Sequence, residues 1–456
     1  MFERYKVIHM VGIGGVGMSG IAEVLYNLGY DVRGSDLGDS ETVERLKGLG
    51  IKVFKGHKPE HIDGAHVVVI SSAVKGTNPE VREAKKLGVP VIPRAEMLAE
   101  LGRLKYSVLV AGSHGKTTTT SLVSTVLAHA GLDPTVVIGG KLKAIGTNAR
   151  LGRGEFIVAE ADESDGSFLK LSPTVGIVTN IDREHMDYFS TMDALKKAFL
   201  SFMNKVPFYG VTVACLDDQT VESLLPKVTR RVITYGLSEH ADLRAVDVKK
   251  GPMSMEFGIL FNGENLGRVT LPTPGVHSVL NALASIAVAL ELQVDVKLIK
   301  EALKGFEGIQ RRLEQKGKAK GISVYDDYGH HPTEIKATLD AVKGSLEGGR
   351  LAVVFQPHRY TRTKDLMDEF AASFGDADIL VVMDIYPAGE KPIKGINSDA
   401  LIKKMKKKNV FHAHNADEVI DYLDGKLNPG DLVLTLGAGD VWKVGPKLLD
   451  SIKGKK

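Results

Sequence analysis

Tyr106-Ser107-Val108-Leu109-Val110-Ala111 runs directly into Gly112-Ser113-His114-Gly115-Lys116-Thr117-Thr118, and the residues from there to about Ala130 carry a helical pattern. A short apolar strand, a glycine loop and a helix in that order place backbone amides, an ammonium and a hydroxyl where a triphosphate and its Mg2+ bind. The full phosphate-loop pattern has one more glycine, and Val110 stands in its place. Taken alone, the stretch also admits a glycine-capped helix with a solvated lysine. Its strand-to-helix setting predicts an ATP-binding α/β unit built on a parallel sheet.

A triphosphate site completes its Mg2+ with hard oxygen ligands, and two nearby strand ends offer them. Phe156 to Ala159 leads into Glu160-Ala161-Asp162-Glu163-Ser164-Asp165, and Val175 to Thr179 leads into Asn180-Ile181-Asp182-Arg183-Glu184-His185-Met186-Asp187. Both are carboxyl ends of expected parallel strands, where open α/β sheets bind ligands. Glu160 is the expected partner of Thr117 on the ion, and His185 reaches for a second one. A solvated acidic loop and a purely structural histidine are the plainer alternatives.

The same strand-loop-helix cycle starts three times. Upstream, Lys6 to Val11 precedes Gly12-Ile13-Gly14-Gly15-Val16-Gly17, a G-x-G-x-x-G loop followed by a helix through Leu28. Its glycines let amides approach a diphosphate, and Asp36 lies 19 residues beyond Gly17 at the end of a second strand. In a nicotinamide enzyme an acid there meets a ribose; a structural tight turn is the alternative. Downstream, expected strands at Ser323 to Tyr325, Leu351 to Phe355, Ile379 to Met383 and Leu432 to Leu436 form a third cycle. Tyr328, His330 and His331 follow one of these strands, and Arg359 and Arg362 follow the next. Paired arginines clamp a carboxylate, and neighbouring Tyr and His orient an amine. Surface solvation of the arginines and a metal on the tandem histidines are the other readings. The expected fold is α/β with three domains: a Rossmann-like domain over 1–103, a phosphate-loop domain over 104–310 and a second Rossmann-like domain over 311–456.

Composition narrows the class. The chain has 456 residues, 43% hydrophobic and 25% charged, which excludes disordered and collagen-like classes. With 59 basic and 56 acidic residues the net charge is +3, so no global field invites nucleic acid. The single cysteine, Cys215, suits a reducing, cytoplasmic setting. No stretch reads as a signal peptide or membrane anchor. The sequence sets no oligomeric state.

Taken together, GIGGVGMSGIAEVL, GSD, SSA, GSHGKTTTT, EADESDGSFL, NIDREHMD, HSVLNALA, QRRLE, DDYGHHPTEI, FQPHRYTRT and GAGD resemble the Mur ligase family, in its alanine-adding branch. They run in family order from about residue 7 to residue 440. The resemblance implies an ATP-dependent ligase of peptidoglycan synthesis that joins L-alanine to UDP-N-acetylmuramate, with Mg2+ as its ion and Mn2+ as the alternative. It implies that Gly14, Gly15, Gly17, Asp36, Ser71, Arg94 and His114 meet the UDP-sugar. Gly112, Ser113, His114, Gly115, Lys116, Thr117 and Thr118 would hold the phosphates, with Asn281 at adenine and Arg312 and Asp327 as further ATP contacts. Thr117, Glu160 and His185 would bind metal, and Tyr328, His330, Arg359 and Arg362 the amino acid. Lys116, His185, Arg359, Arg362 and His330 would carry the catalysis, His330 as a candidate base. Some family members carry a carbamylated lysine where Leu200 stands here, so no carbamate is expected, Lys196 and Lys197 lying earlier. A nicotinamide dehydrogenase leaves Lys116, Glu160 and His185 without a task, and a non-catalytic ATP switch leaves Arg359 and Arg362 without one.

Overall fold

The computed structural model describes residues 6–71, 73–142, 147–346 and 348–454. Ser72, within the SSA motif, lies outside the described residues. Three sheets follow one another along the chain.

The first contains β1 (Val7–Val11), β2 (Asp31–Asp36), β3 (Lys52–Lys55), β4 (Val67–Ile70) and β5 (Val91–Pro93) in the order β3-β2-β1-β4-β5. Every pairing is parallel. The chain leaves β1 toward β2 on one side and returns to β4 on the other, so the glycine loop after Val11 sits at the switch point where such sheets bind ligands.

The second sheet contains β6 (Tyr106–Ala111), β7 (Thr135–Leu142), β8 (Thr147–Arg150), β9 (Phe156–Glu160), β10 (Val175–Val178), β11 (Val211–Cys215), β12 (Val232–Gly236), β13 (Leu243–Gly251), β14 (Ser254–Phe261) and β15 (Glu264–Leu271). Their order is β15-β14-β13-β12-β11-β10-β6-β9-β7-β8. The phosphate-loop strand β6 lies between β9 and β10, parallel to both, so the acidic ends of those strands flank the loop. Periodicity finds β6, β9 and β10 because fully buried parallel strands read as unbroken apolar runs. It misses β13 and β15, whose polar, partly exposed residues have no such run.

The third sheet contains β16 (Glu314–Ala319), β17 (Ile322–Asp327), β18 (Leu351–Phe355), β19 (Ile379–Met383), β20 (Val410–Ala413) and β21 (Leu432–Leu436), ordered β16-β17-β21-β18-β19-β20. Only β16 runs antiparallel to its neighbour. In β18, Leu351, Val353 and Phe355 pack into one core while Ala352 and Val354 enter the other. The two-residue alternation buries both faces, as a sheet covered by helices on each side requires.

By density of internal contacts the chain forms two compact units. One comprises Met1–Val246, Gly258–Val269 and Leu280–Phe306; the other comprises Asp247–Phe257, Thr270–Val279 and Glu307–Lys456. The first unit thus holds both glycine loops. Within it, Arg45 Nη2 donates to Asn148 Oδ1 at 3.3 Å and Lys170 Nζ to Glu96 at 2.9 Å, joining the first sheet's helices to the second sheet's segment. No helix among the described residues is long and apolar enough to cross a membrane.

Candidate active site

In the first unit, the helix Lys116–His129 begins after Gly115, which sits in the left-handed region at φ +81°, as does Gly112 at φ +137°. Neither tolerates a side chain. A Cβ at Gly112 would collide with Thr179 Oγ1, and one at Gly115 would come 2.6 Å from Asn281 Oδ1. The end of β10 fastens the loop. Ser113 N donates to Asn180 O at 3.0 Å, His114 N to Asn180 Oδ1 at 2.8 Å, and Asp182 N to Ser113 Oγ at 2.8 Å. The amides of Ser113 and His114 are thereby committed to the protein. Those left for phosphate include the amides at the start of the helix, Gly115 to Thr118, which have no intrahelical acceptor.

Lys116 Nζ donates to Gly112 O at 2.6 Å and lies 2.9 Å from both oxygens of Glu163. Burial favours the neutral amine, but Glu163 and Asp162 outweigh it and hold the ammonium above the ordinary lysine value. Burial also pushes the Glu163 carboxyl up, against the pull of Lys116. Beside this pair stand Glu184 and His185. His185 Nε2 is 3.6 Å from Glu163 Oε1 and 3.8 Å from Glu184 Oε2, with His185 itself in the left-handed region. One ligand atom from each of Glu163, Glu184 and His185 lies within 4.8 Å of the other two. Two carboxylates and an imidazole converging next to a phosphate-loop lysine suit a divalent cation.

The expected metal set is only partly gathered in this way. The structure brings His185 together with Glu163 and Glu184, whereas Glu160 accepts the Gly139 N–H at 2.6 Å. Glu163 and Glu184 went unselected although both lie in the two acidic runs; which carboxylate of a run faces the loop depends on the chain's path after the strand. Thr117 is buried at the helix start. Asn281 lies against the loop, accepting from Thr119 Oγ1 at 3.1 Å.

At the first glycine loop, Gly12 N and Ile13 N both donate to Ser35 O, at 2.8 and 3.1 Å. Asp36 Oδ2 accepts the Gly14 N–H at 2.9 Å, so this acid staples the loop. Ser71 Oγ would stand 3.1 Å from a Cβ at Gly12, and Arg94 2.7 Å from one at Gly17. Arg94 also faces Asp162 at 3.5 Å, and His114 Nε2 faces Asp182 at 3.2 Å. Gly14, Gly17, Asp36, Ser71 and Arg94 therefore surround one loop, and Arg94 reaches the acidic run after β9.

In the second unit, Arg311 Nε pairs with the buried Asp326 at 3.1 Å and Arg311 Nη2 donates to Gly437 O at 2.6 Å. Asp327 accepts the N–H groups of Leu313 and Gly329, each at 2.8 Å. The guanidiniums of Arg311 and Arg312 lie 5.0 and 5.2 Å from the Tyr328 ring centroid. His330 packs edge-on to Tyr328 and to His358, and His358 stacks on Tyr386 at 5.6 Å. Tyr328, His330, His358 and Tyr386 thus share one neighbourhood. Burial, with Arg362 and Arg312 added against Glu334, lowers His330 to about 3. A ring so reluctant to take a proton is a poor general base near neutrality, which counts against that role for His330. Arg359 sits at φ +70° with its N–H on Tyr386 O at 2.9 Å, leaving its side chain exposed.

Three family models match the chain: "Mur ligase family, catalytic domain" over residues 7–106, "Mur ligase middle domain" over 110–289, and "Mur ligase, glutamate ligase domain" over 311–439. A UDP-N-acetylmuramate--L-alanine ligase of Desulfatibacillum aliphaticivorans is 57% identical over 454 residues, 99% of this chain and 100% of that one. Among solved structures, the UDP-N-acetylmuramate-alanine ligase of Thermotoga maritima has a TM-score of 0.84 at 30% identity, covering 98% of this chain and 99% of its own. A murein peptide ligase from Psychrobacter arcticus has a TM-score of 0.73 at 25% identity, covering 99% of each chain.

Proposed function

The chain belongs to the Mur ligase family, and from that premise we propose that it joins L-alanine to the carboxylate of UDP-N-acetylmuramate, converting ATP to ADP and phosphate. The carrying observation is Lys116 at the head of its helix, 2.9 Å from Glu163, with Glu184 and His185 alongside. The choice of alanine rests on the relatives named for it along their full length.

A carboxylate is a poor acylating agent. Its oxygen attacks the γ-phosphorus of ATP, giving an acyl phosphate and ADP, while Lys116 and the first-turn amides neutralise charge on the phosphoryl oxygens. Glu163, Glu184 and His185, with Thr117 and Glu160 near the same strand ends, are the residues to hold Mg2+, which when bound shields the phosphates. Gly14, Gly17, Ser71 and Arg94 serve the UDP-sugar, Arg94 as its cation. Arg359 and Arg362 take the carboxylate of alanine, and Tyr328 with the neutral His330 ring orients its amine. That amine attacks the acyl carbon, and phosphate leaves from the tetrahedral intermediate. We place the domain divisions at 1–103, 104–310 and 311–456.

Phosphate release from ATP with Mg2+ and UDP-N-acetylmuramate tests this reading, comparing L-alanine, a recycled tripeptide and no acceptor, with mass detection of product. Release that depends on L-alanine, together with the alanine adduct, is the expected result. Release with the tripeptide alone assigns the chain to the tripeptide-adding branch instead. Lys116→Ala abolishes turnover and leaves UDP-sugar binding measurable; normal ligation by that variant refutes the phosphate role.

A further inference from the structure

Asp384 follows β19 directly, His412 lies in β20 and His414 follows it, all in the second unit. β19 and β20 pair in parallel with Val382 opposite His412 and Met383 opposite Ala413. That register brings the three side chains to one corner of the sheet. Asp384 Oδ1 lies 2.8 Å from His412 Nε2, and Asp384 Oδ2 lies 3.1 Å from His414 Nδ1. The two imidazole rings are 4.6 Å apart between centroids. One ligand atom from each residue lies within 4.8 Å of the others, the only such grouping among the described residues that falls wholly within this unit. Nothing in the proposed ligation chemistry uses them.

The other nitrogen of His412 sets the chemistry. Nδ1 lies 2.8 Å from Asp399 Oδ1, and an ionised carboxylate only accepts, so Nδ1 carries the proton. With Nδ1 held by Asp399, Nε2 is the nitrogen turned toward Asp384 and the one that would ligate an ion placed there. A carboxylate that fixes the tautomer of a ligating histidine from its far side is the arrangement metal sites use to orient the ring and raise its basicity. Asp384 and His414 are 55% and 63% exposed, so an ion and a completing water have open access. Two imidazole nitrogens and one carboxylate oxygen favour borderline transition ions over Mg2+, which prefers all-oxygen octahedra.

The geometry points to a site for a borderline divalent transition ion, zinc foremost, ligated by Asp384, His412 and His414 and oriented by Asp399. The ion sits between Asp384 and the two ring nitrogens that face it, His412 Nε2 and His414 Nδ1. It cross-links the ends of β19 and β20 and, through Asp399, braces the helix Ser398–Lys404, whose Ser398 Oγ already donates to Met383 O at 2.7 Å. Two residues beyond Asp384, Tyr386 N donates to Pro357 O at 2.8 Å and Tyr386 O accepts from Arg359 N. The ion therefore stiffens the segment that carries Arg359. The site's existence does not depend on the ligase reading.

The test titrates the full chain, stripped with chelator and held in excess Mg2+, with Zn2+ by calorimetry and with Co2+ by visible absorption. The wild type, His412→Gln/His414→Gln and Asp399→Asn are compared. The wild type binds one more equivalent of Zn2+ than the double variant, shows a Co2+ band that the double variant lacks, and gains thermal stability on adding Zn2+ where the double variant does not. Asp399→Asn keeps the stoichiometry and weakens binding roughly tenfold, the usual loss when an outer partner is removed. Equal stoichiometry and affinity in wild type and double variant, with the double variant showing an unchanged far-ultraviolet spectrum, overturns the site. Unchanged affinity in Asp399→Asn overturns its orienting role.

Discussion

Glu163→Ala exposes how strongly the phosphate-loop lysine depends on its anion. Both Glu163 oxygens lie 2.9 Å from Lys116 Nζ, and the side chains are 1% and 15% exposed respectively. At an effective dielectric constant near 20, the attraction across that distance is about 6 kcal/mol before desolvation is subtracted. Removing one partner of a buried pair costs about 3–5 kcal/mol, because the remaining charge stays buried without its counter-ion. In Glu163→Ala the ammonium keeps hydrogen bonds to the carbonyls of Gly112 at 2.6 Å and Ser113 at 3.3 Å, with Asp162 and Glu184 as the nearby negative charges that remain. Lys116→Ala/Glu163→Ala removes both charges, so it costs less than the sum of the single variants, by about 1–3 kcal/mol. Trp442, the one tryptophan, belongs to the other unit, so its fluorescence does not report this event. Hydrogen exchange at the amides of the helix Lys116–His129 does. Added ATP offers the ammonium a replacement anion and restores most of the protection lost in Glu163→Ala. Additive losses in the double variant, or a Glu163→Ala loss below about 0.5 kcal/mol, refute the reasoning.

Gly112→Ala forces a Cβ onto Thr179 Oγ1 at a left-handed φ of +137°; the strain is about 1–3 kcal/mol, and steady-state assays show ATP turnover falling while UDP-sugar binding persists. Buried Glu80 accepts from Ser35 Oγ at 2.6 Å and contacts His61 at 2.8 Å and His9 at 3.5 Å. Burial raises its carboxyl, but these hydrogen bonds overcome burial and hold it at about 2 against an ordinary 4.5. A depressed carboxyl stabilises the fold fully above its unfolded value, so about 3 kcal/mol is lost as pH falls from about 5 toward 2. Glu80→Gln removes that part of the acid transition in a thermal melt, and an unchanged acid limb contradicts the assignment. In the second unit burial lowers His330 to about 3 and His277 and His358 to about 4, the latter helped by Arg362 and Arg359. The unfolded chain takes these protons near 6.5, so this unit is most stable above that pH and weakens as pH falls toward 4. Trp442 fluorescence in urea reads the shift, and a midpoint constant from pH 7 to 4 counts against it.

Much of the site was legible because its motifs are local. Gly112 to Thr118 declare their own loop, since strand, glycines and helix adjoin in the chain. The parallel strands β6, β9, β10, β18, β19 and β21 were legible because burial on both faces leaves them almost wholly apolar. β13 and β15 were not, because half-exposed strands carry no signature that separates them from loops. Nor could the order of acids within a run show which one faces the lysine. Glu160 and Glu163 are three residues apart: Glu160, still in β9, faces the Gly139 amide of neighbouring β7, and the turn after the strand carries Glu163 to Lys116.

By itself the sequence determined the α/β class, the family and the two glycine loops, since those follow from periodicity and adjacent residues. The tertiary structure decided which groups meet across distance. It set Asp36 on the Gly14 amide, Asn180 on the His114 amide, and Glu184 with His185 beside Glu163. It also gathered Asp384, Asp399, His412 and His414, spread over 31 positions of chain, at one sheet corner. Sheet order and strand register fix those meetings, and both are set by the packing of the whole core.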